Sequence, residues 1–303
     1  MPPETSSLRA VFQSGRLSRA HIERFASELA KYHARIETPI GYLSERGRIL
    51  HNVFLHHGEM TLRPPAAHGR DRQGGEPVGD VAGVVLELES LGQSQLANFF
   101  LAAWLEQSGA FHALATLRSY LAGENRGALM LTHGPSGAGK TTLATALAGS
   151  IGAVVVRNDA EIVRLKQRHR ALAPGMLIDR LEMLAIQVIR AGWPVIVESC
   201  FLNRANRRRF RARAAELAVP FAILDCAAPI ATLRERLERR RAFGSLFHGD
   251  DAGAERVERE LRAQLDRQDA LDDEEKAITV TVDSSQPVDH ERLAARMKLL
   301  CQA

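Results

Sequence analysis

The residues with the clearest chemical potential form the stretch GPSGAGKTT at 134–142, which we call the phosphate loop. It matches the pattern G-x-x-x-x-G-K-[ST] at every fixed position. Glycines let consecutive backbone N–H groups turn inward around a phosphate, and the helix that follows adds a partial positive charge. We therefore expect the whole loop to contact a nucleotide, through Gly134, Pro135, Ser136, Gly137, Ala138, Gly139, Lys140, Thr141 and Thr142.

Two side chains of this loop have distinct predicted roles. Lys140 is expected to reach the β- and γ-phosphates of ATP, and the Thr141 hydroxyl is expected to ligate Mg²⁺. The apolar run 128–132 before the loop predicts a strand, and a helical pattern follows it. This context favours MgATP binding over the alternative of a glycine-rich turn that binds nothing.

Acidic residues end two further predicted strands. Glu198 ends WPVIVE at 193–198 and is expected to hold the Mg²⁺ shell, a position where Asp is more usual. Asp159 ends AVVVRND at 153–159, where it is expected to accept a proton from a substrate hydroxyl. The alternative for Glu198 is an ordinary polar residue at a strand end. The alternative for Asp159 is an Asp that caps the next helix. Arg164 is expected to bind an anionic group of the substrate.

Basic residues cluster at two places. The stretch 225–244 predicts a strand, a proline turn and a helix, from which Arg236 and Arg240 are expected to contact the γ-phosphate. The stretch 225–244 leads into a predicted lid at 243–253. The alternative for its arginine-rich helix is a solvated charged helix, which would have the same composition. RANRRRFRAR at 204–213 is interpreted as an exposed helix face, with nucleic-acid binding as the weaker alternative because no aromatic residues interleave with it as a platform.

The periodicity of apolar residues predicts two domains. From residue 128 onward, strands at 128–133, 153–157, 194–198, 220–226 and 278–282 alternate with helices. This order predicts a five-stranded parallel sheet between two helical layers, an α/β fold of the P-loop NTPase kinase-like type. Residues 1–123 predict a smaller, mainly helical domain, with a helix at 18–36, a loop at 63–79 and helices within 80–122.

The composition indicates which broad class of protein this chain belongs to. The 303 residues carry a net charge of +4 and are 45% hydrophobic and 25% charged, which is typical of globular proteins. Three scattered cysteines fit neither a disulfide framework nor a zinc site, and Cys200 and Cys226 are interpreted as buried thiols. Without a signal-like or membrane-length apolar stretch, we expect a cytoplasmic protein with no membrane partner. The oligomeric state is not predicted.

The chain also resembles a known family. Residues 127–303 resemble the kinase-like ATP-binding half of the bacterial bifunctional aminoglycoside phosphotransferase/ATP-binding proteins, also known as AAA-family ATPases. The segments that carry the resemblance are GPSGAGKTTLA, VVVRND, VIVESCFL, PFAILDCAAPIATLRERLERR and VTVDSSQP. The resemblance implies a fold like that of gluconate kinase, chloramphenicol phosphotransferase and zeta toxin. It also implies Lys140 and Thr141 at the phosphates, Asp159 at the substrate, and Glu198 where the family usually has Asp.

The first 123 residues resemble the phosphotransferase half of that family only in pieces. The stretches 17–36 and 79–109 look like helices of its C-terminal lobe. The family motif H-x-D-x-x-x-x-N aligns with HGEMTLRP, so that Glu59 stands for the catalytic Asp and Pro64 for the metal-binding Asn. The resemblance therefore implies a catalytically inactive remnant; a truncated gene start would equally account for the missing N-terminal lobe.

Together these features predict an ATP-dependent kinase that phosphorylates a hydroxyl of an unidentified small molecule. One alternative is a nucleotide-binding regulatory protein with ATPase activity alone or no turnover. Another is a zeta-toxin-like kinase that acts on a sugar nucleotide.

Overall fold

The chain divides into two compact units in the computed structural model. The first comprises Met1–Asn125 with Arg190–Gly192, and the second comprises Arg126–Ile189 with Trp193–Ala303. The structure describes residues 5–35, 49–56, 59–62, 77–121, 127–169, 171–242 and 254–301.

The first unit combines helices with a small antiparallel sheet of order β1-β2-β3. Its elements are β1 (Thr5–Ser7), α1 (Leu8–Gln13), α2 (Arg19–Arg35), a 3₁₀ turn (Ile49–Asn52), β2 (Val53–His56), β3 (Glu59–Leu62), α3 (Pro77–Ser90), α4 (Ser94–Ser108), a 3₁₀ turn (Phe111–Ala113) and α5 (Leu114–Tyr120). The long helices form because each has an apolar face to bury. Phe25 of α2 packs on Phe100 of α4 with ring centroids 5.3 Å apart, and both rings are fully buried.

Two features of the first unit differ from the expectation. The three strands were not predicted, because segments of three or four residues are too short to show an alternating pattern. Helix α3 begins at Pro77, inside the predicted loop 63–79, because proline suits the first turn of a helix. The rest of that loop lies outside the described residues.

The second unit is built on a parallel sheet of order β5-β6-β4-β7-β8. Its elements are β4 (Leu129–His133), α6 (Lys140–Ile151), β5 (Val154–Arg157), α7 (Asn158–Arg168), α8 (Met176–Arg190), β6 (Val195–Glu198), α9 (Arg204–Glu216), β7 (Phe221–Ala227), α10 (Ile230–Ala242), α11 (Ala254–Asp266), α12 (Asp273–Ala277), β8 (Thr279–Asp283) and α13 (His290–Leu300). All five predicted strands are confirmed to within one residue at each end.

Helices cover the sheet on both faces. Met130, Ile196 and Leu224 belong to a buried cluster with residues of α6, α10, α11 and α13. Their strand neighbours Leu131 and Val197 are equally buried, and successive side chains of a strand point to opposite faces, so the other face is covered as well. The predicted three-layer α/β fold is therefore confirmed.

Helix α7 was not predicted from the sequence. Only Glu161 and Leu165 are buried in its sequence NDAEIVRLKQR, so no apolar stripe marks it as a helix. The short helix α12 was missed for the same reason, because four of its five residues are charged and Glu275 is the buried one.

The basic cluster 204–213 is not simply an exposed face, as the sequence analysis proposed. Arg207 is only 1% exposed and binds both carboxylate oxygens of Glu275, at 2.7 and 2.9 Å. Arg209 and Arg213 bind Glu182 on α8. These ion pairs connect α9 to α8 and α12, so these three arginines stabilise the fold.

Candidate functional site

The phosphate loop joins the central strand β4 to α6 and depends on its glycines. Gly134 has a φ of 126°, and a Cβ there would lie 2.2 Å from the backbone oxygen of Cys226. Gly139 has a φ of 82°, and its Cβ would lie 3.0 Å from Cβ of Ser284. A side chain at Gly134 would collide with the backbone of β7, and one at Gly139 would crowd the Ser284 side chain. The loop therefore closes tightly at the N-terminus of α6, where the partial positive charge of the helix favours anions.

Lys140 is the first residue of α6 and is 7% exposed. Its ammonium group folds back over the loop and donates a hydrogen bond of 2.8 Å to the carbonyl oxygen of Pro135. The positive charge of Lys140 therefore lies against the backbone of the loop that is predicted to bind phosphates.

Thr141 and Glu198, the two residues predicted to bind Mg²⁺, lie within hydrogen-bond distance of each other. β6 lies beside β4 in the sheet, so its C-terminal residue Glu198 lies next to the start of α6. The Thr141 hydroxyl donates a hydrogen bond of 3.3 Å to Glu198. Burial raises the pKa of the Glu198 carboxyl; the Lys140 ammonium opposes this rise, and the Asp159 carboxylate adds to it. These charges therefore lie close enough to influence one another.

The oxygen donors of this site fit Mg²⁺. A hydroxyl and a carboxylate are ligands that Mg²⁺ prefers, and the ion usually takes only one or two protein groups beside phosphates and water. Across the described ranges, no group of three or more His, Cys, Asp or Glu side chains could hold a metal by itself. The site thus fits a magnesium ion that arrives with a nucleotide, with Thr141 and Glu198 as its protein contacts.

Asp159 lies in the first turn of α7, directly after β5, and its side chain is exposed. Asn158 donates a hydrogen bond of 3.3 Å to its carboxylate and accepts one of 3.3 Å from the Ser199 hydroxyl. Asp159 is therefore accessible at the carboxyl edge of the sheet, where open α/β sheets bind ligands.

Arg164 follows five residues later on the same helix and is already paired. It binds Glu161, whose side chain is fully buried and also accepts a bond of 2.9 Å from Arg180. A buried carboxylate needs such partners, so Arg164 compensates the charge of Glu161 within α7, and Arg180 connects the same carboxylate to α8.

The two arginines predicted to contact the γ-phosphate occupy different environments on α10. Arg236 donates to the carbonyl oxygen of Gly137 at 3.0 Å, and to the hydroxyl and carbonyl oxygens of Ser284 at 2.8 and 2.7 Å. It therefore braces the phosphate loop against the turn after β8. Arg240, one helical turn further, is exposed. The predicted lid at 243–253 lies outside the described residues.

Sequence reasoning missed Gln264, which holds the loop from α11. Its side-chain oxygen accepts a hydrogen bond of 2.8 Å from the Ser136 backbone N–H, and its amide nitrogen donates 3.0 Å to the Ser136 hydroxyl. These residues are 128 positions apart and belong to no common motif, so no sequence signal could have paired them.

A second missed group lies at the ends of β4 and β7. Nδ1 of the buried His133 lies 2.8 Å from a carboxylate oxygen of Asp225, whose other oxygen accepts a hydrogen bond of 3.1 Å from Thr281. These three residues line a cavity of about 550 Å³ beside Pro135. Parallel strands bring them together, because β4, β7 and β8 are adjacent in the sheet although distant in the sequence.

In the first unit, Glu59 begins β3 and pairs with His56 across an antiparallel register. Its side chain is exposed. Pro64, which aligns with the metal-binding position of the resembled motif, lies outside the described residues.

One protein-family model and several solved structures match part of this chain. A protein-family model described as "AAA domain" matches residues 129–271. No curated protein matches the sequence. Among solved structures, a gluconokinase from Sinorhizobium meliloti 1021 is 21% identical and aligns over 59% of this chain and 95% of its own, with a TM-score of 0.41.

Two further solved structures are similar at the same level. The APS kinase CysC from Mycobacterium tuberculosis is 18% identical over 59% of this chain and 99% of its own, with a TM-score of 0.41. The shikimate kinase from Acinetobacter baumannii is 18% identical over 57% of this chain and 92% of its own, with a TM-score of 0.38.

The parallel sheet, the phosphate loop between β4 and α6 and the match to the AAA domain together give the second unit a P-loop α/β fold. In the parts of the chain that the structure describes, no helix is both long enough and apolar enough to cross a membrane.

Proposed function

We propose that this protein is an ATP-dependent kinase that transfers the γ-phosphate of ATP to a hydroxyl group of a small molecule. The observation that carries the proposal is the convergence of four side chains at one edge of the sheet. Lys140 and Thr141 begin α6, Glu198 ends β6, and Asp159 follows β5. The accessible carboxylate of Asp159 beside the other three supports a role in phosphate transfer in addition to nucleotide binding.

The nucleotide would be held by the phosphate loop. Backbone N–H groups at the start of α6 and the Lys140 ammonium offer positive charge to the triphosphate. Magnesium, held by Thr141 and Glu198, would neutralise charge that develops on the phosphate oxygens during transfer. Because Glu198 is 6% exposed and hydrogen-bonded to Thr141, its carboxylate is oriented before the nucleotide arrives.

The acceptor would be activated by Asp159. A carboxylate at this edge can accept the proton of an incoming hydroxyl as that oxygen attacks the γ-phosphorus. We propose that Arg240, exposed on α10, supplies charge to the transferred group, and that Arg236 acts by holding the loop in shape. The contact of Arg164 with an anionic group of the substrate stays a prediction, and in the structure this side chain binds Glu161.

The proposal is tested by measuring nucleotide affinity and phosphate transfer separately. Purified protein is incubated with γ-labelled ATP, Mg²⁺ and a metabolite library, and labelled products are identified. Lys140→Ala should weaken nucleotide binding and abolish transfer. Asp159→Asn should abolish transfer and leave the nucleotide dissociation constant within about twofold, because the carboxylate acts on the acceptor.

Asp273→Asn is the matched control, since that side chain is 98% exposed on α12. It should change neither quantity. Transfer at the wild-type rate by Asp159→Asn would exclude Asp159 as the base. A lack of Mg²⁺-dependent affinity for any nucleoside triphosphate would exclude the kinase itself.

For the first unit we propose the role that the resemblance implies, a helical remnant of an aminoglycoside-phosphotransferase-like lobe without phosphotransferase activity of its own. Glu59, which is exposed at the start of β3, occupies the position that the resembled motif gives to its catalytic Asp, and this departure from the motif supports the proposal. Glu59→Gln should therefore leave transfer unchanged. A cytoplasmic location stays a prediction.

A further inference from the structure

The cavity at the ends of β4, β7 and β8 has a volume of about 550 Å³, within the range of pockets that hold small organic molecules. Open α/β sheets bind ligands beyond this carboxyl edge. Neighbouring strands of a sheet are about 4.8 Å apart, so β7 lies roughly 14 Å from β5, which Asp159 follows. The cavity is therefore separate from the proposed base of the transfer reaction.

Asp225 supplies hydrogen-bond acceptors to this cavity. Its side chain lines the cavity and is 20% exposed. One carboxylate oxygen lies 2.8 Å from Nδ1 of His133, and the other accepts a bond of 3.1 Å from Thr281. An ionised carboxylate has about four acceptor positions, so about two stay available here. A ligand in this cavity therefore gains most from N–H donors.

The neighbours of Asp225 fix its orientation whatever the charge of the histidine. Nδ1 of His133 carries a hydrogen in order to bond a carboxylate, and it can do so in the neutral and in the charged ring. The Thr281 hydroxyl donates its one hydrogen to Asp225, so the Thr281 oxygen is left as a further acceptor. These acceptors are thus held in place before a ligand arrives, which lowers the entropic cost of binding.

The other walls of the cavity are mainly apolar and come from α10, α11 and the segments beside them. Their apolar residues are Pro135, Ala227, Ala228, Ile230, Leu233, Leu265, Ala270 and Leu271. Ile230 is 53% exposed, so an apolar group that covered it would remove hydrophobic surface from water.

The charges at the wall favour a cation. Among the described residues that line the cavity, Asp225 is the only acid, and Lys276 is the only lysine or arginine. The Lys276 ammonium bonds the exposed Asp273 at 2.8 Å, which offsets its charge. A ligand acid would place a second negative charge beside Asp225, whereas an ammonium group would form charge-assisted bonds with it.

We infer that this cavity binds a small organic amine. Its ammonium group donates to the available acceptor positions of Asp225 and to the Thr281 oxygen, and its apolar body packs against Ile230, Leu233 and Leu265.

The experiment follows the isoleucine methyl resonances of the ¹³C-labelled full chain, and Ile230→Val assigns the signal of Ile230. Benzylamine is the probe, with benzyl alcohol and benzoate as neutral and anionic ligands of similar size. The ring of bound benzylamine should shift the Ile230 signal along a saturable curve, with a dissociation constant on the order of 1 mM, ordinary for so small a ligand. Benzyl alcohol should bind about tenfold more weakly, and benzoate should leave the signal in place.

Variants are compared by titration calorimetry. Asp225→Asn should raise the benzylamine dissociation constant about tenfold, because the amide is neutral and has lost acceptor positions. Asp266→Asn is the matched control, since Asp266 is exposed on α11 and does not line the cavity. Ile230→Lys, a change at an exposed position, should also weaken benzylamine binding by placing a like charge at the cavity. Asp159→Asn should bind benzylamine as the wild type does.

An Ile230 signal that shows no saturable shift with benzylamine would overturn the inference, and so would equal affinity for benzyl alcohol or benzoate. Wild-type affinity in Asp225→Asn would overturn it as well. Loss of benzylamine binding in Asp159→Asn would place the amine at the proposed acceptor site instead. The comparison of the three ligands uses the unmodified protein, so it remains decisive even where Asp225→Asn fails to fold.

Discussion

Replacement of Arg207 by methionine should strongly destabilise the second unit. The guanidinium makes five hydrogen bonds, two to the Glu275 carboxylate and three to the carbonyl oxygens of Phe201, Leu202 and Ala270. Arg207→Met keeps most of the volume but leaves Glu275, which is 2% exposed, as an unpaired buried charge. Removal of one partner of a buried pair costs about 3–5 kcal/mol.

The assay is urea unfolding followed by the fluorescence of Trp193, which is buried in the second unit. A Trp104→Phe background removes the signal of the first unit. With a slope of roughly 2 kcal/mol per molar urea, the transition midpoint should fall by about 2 M. Arg208→Met is the matched control, because that side chain is 66% exposed and its bond to Asp272 is a surface ion pair, which adds little stability.

The double variant Arg207→Met/Glu275→Leu separates charge from packing. Replacement of a buried ion pair by apolar residues is often neutral, so the double variant should recover most of the lost stability. A midpoint for Arg207→Met equal to that of Arg208→Met would refute the assignment of Arg207 as a buried structural residue. A double variant as unstable as the single one would show that the carbonyl contacts matter more than the charge.

Three other predictions concern the side chains of Gln264, Glu182 and Cys226. Gln264→Leu removes the partner of the Ser136 N–H and should weaken ATP affinity by about tenfold, as measured by calorimetry, with the circular dichroism spectrum unchanged. The bonds from Arg209 are the main cause that lowers the pKa of Glu182 in the folded state. The stability from this carboxylate is therefore full above pH 4.5 and lost as the pH falls through the lower folded value, and Glu182→Gln should flatten that decline in urea midpoints. Burial raises the pKa of Cys226 to about 12, so mass spectrometry should find its thiol unmodified by iodoacetamide near pH 8 until urea unfolds the protein.

Much of the second unit is predictable because its signals are local. Buried parallel strands appear as short apolar runs, and β4, β5, β6, β7 and β8 were each located in this way. The cysteine interpretation was correct for the buried Cys226, whereas Cys200 is partly exposed and lies 3.9 Å from the Ser136 hydroxyl. A residue beside an apolar run need not be buried when the chain turns at that point.

The phosphate loop is predictable from local sequence alone, because Gly134, Gly139, Lys140 and Thr141 lie within eight consecutive residues and need only a strand before and a helix after them. The contacts of Arg207 and Gln264, in contrast, are visible only once the chain is folded. An arginine or a glutamine looks the same in the sequence whether its side chain is solvated or bound to a buried group. Its environment depends on contacts between elements more than sixty residues apart, which no local pattern records.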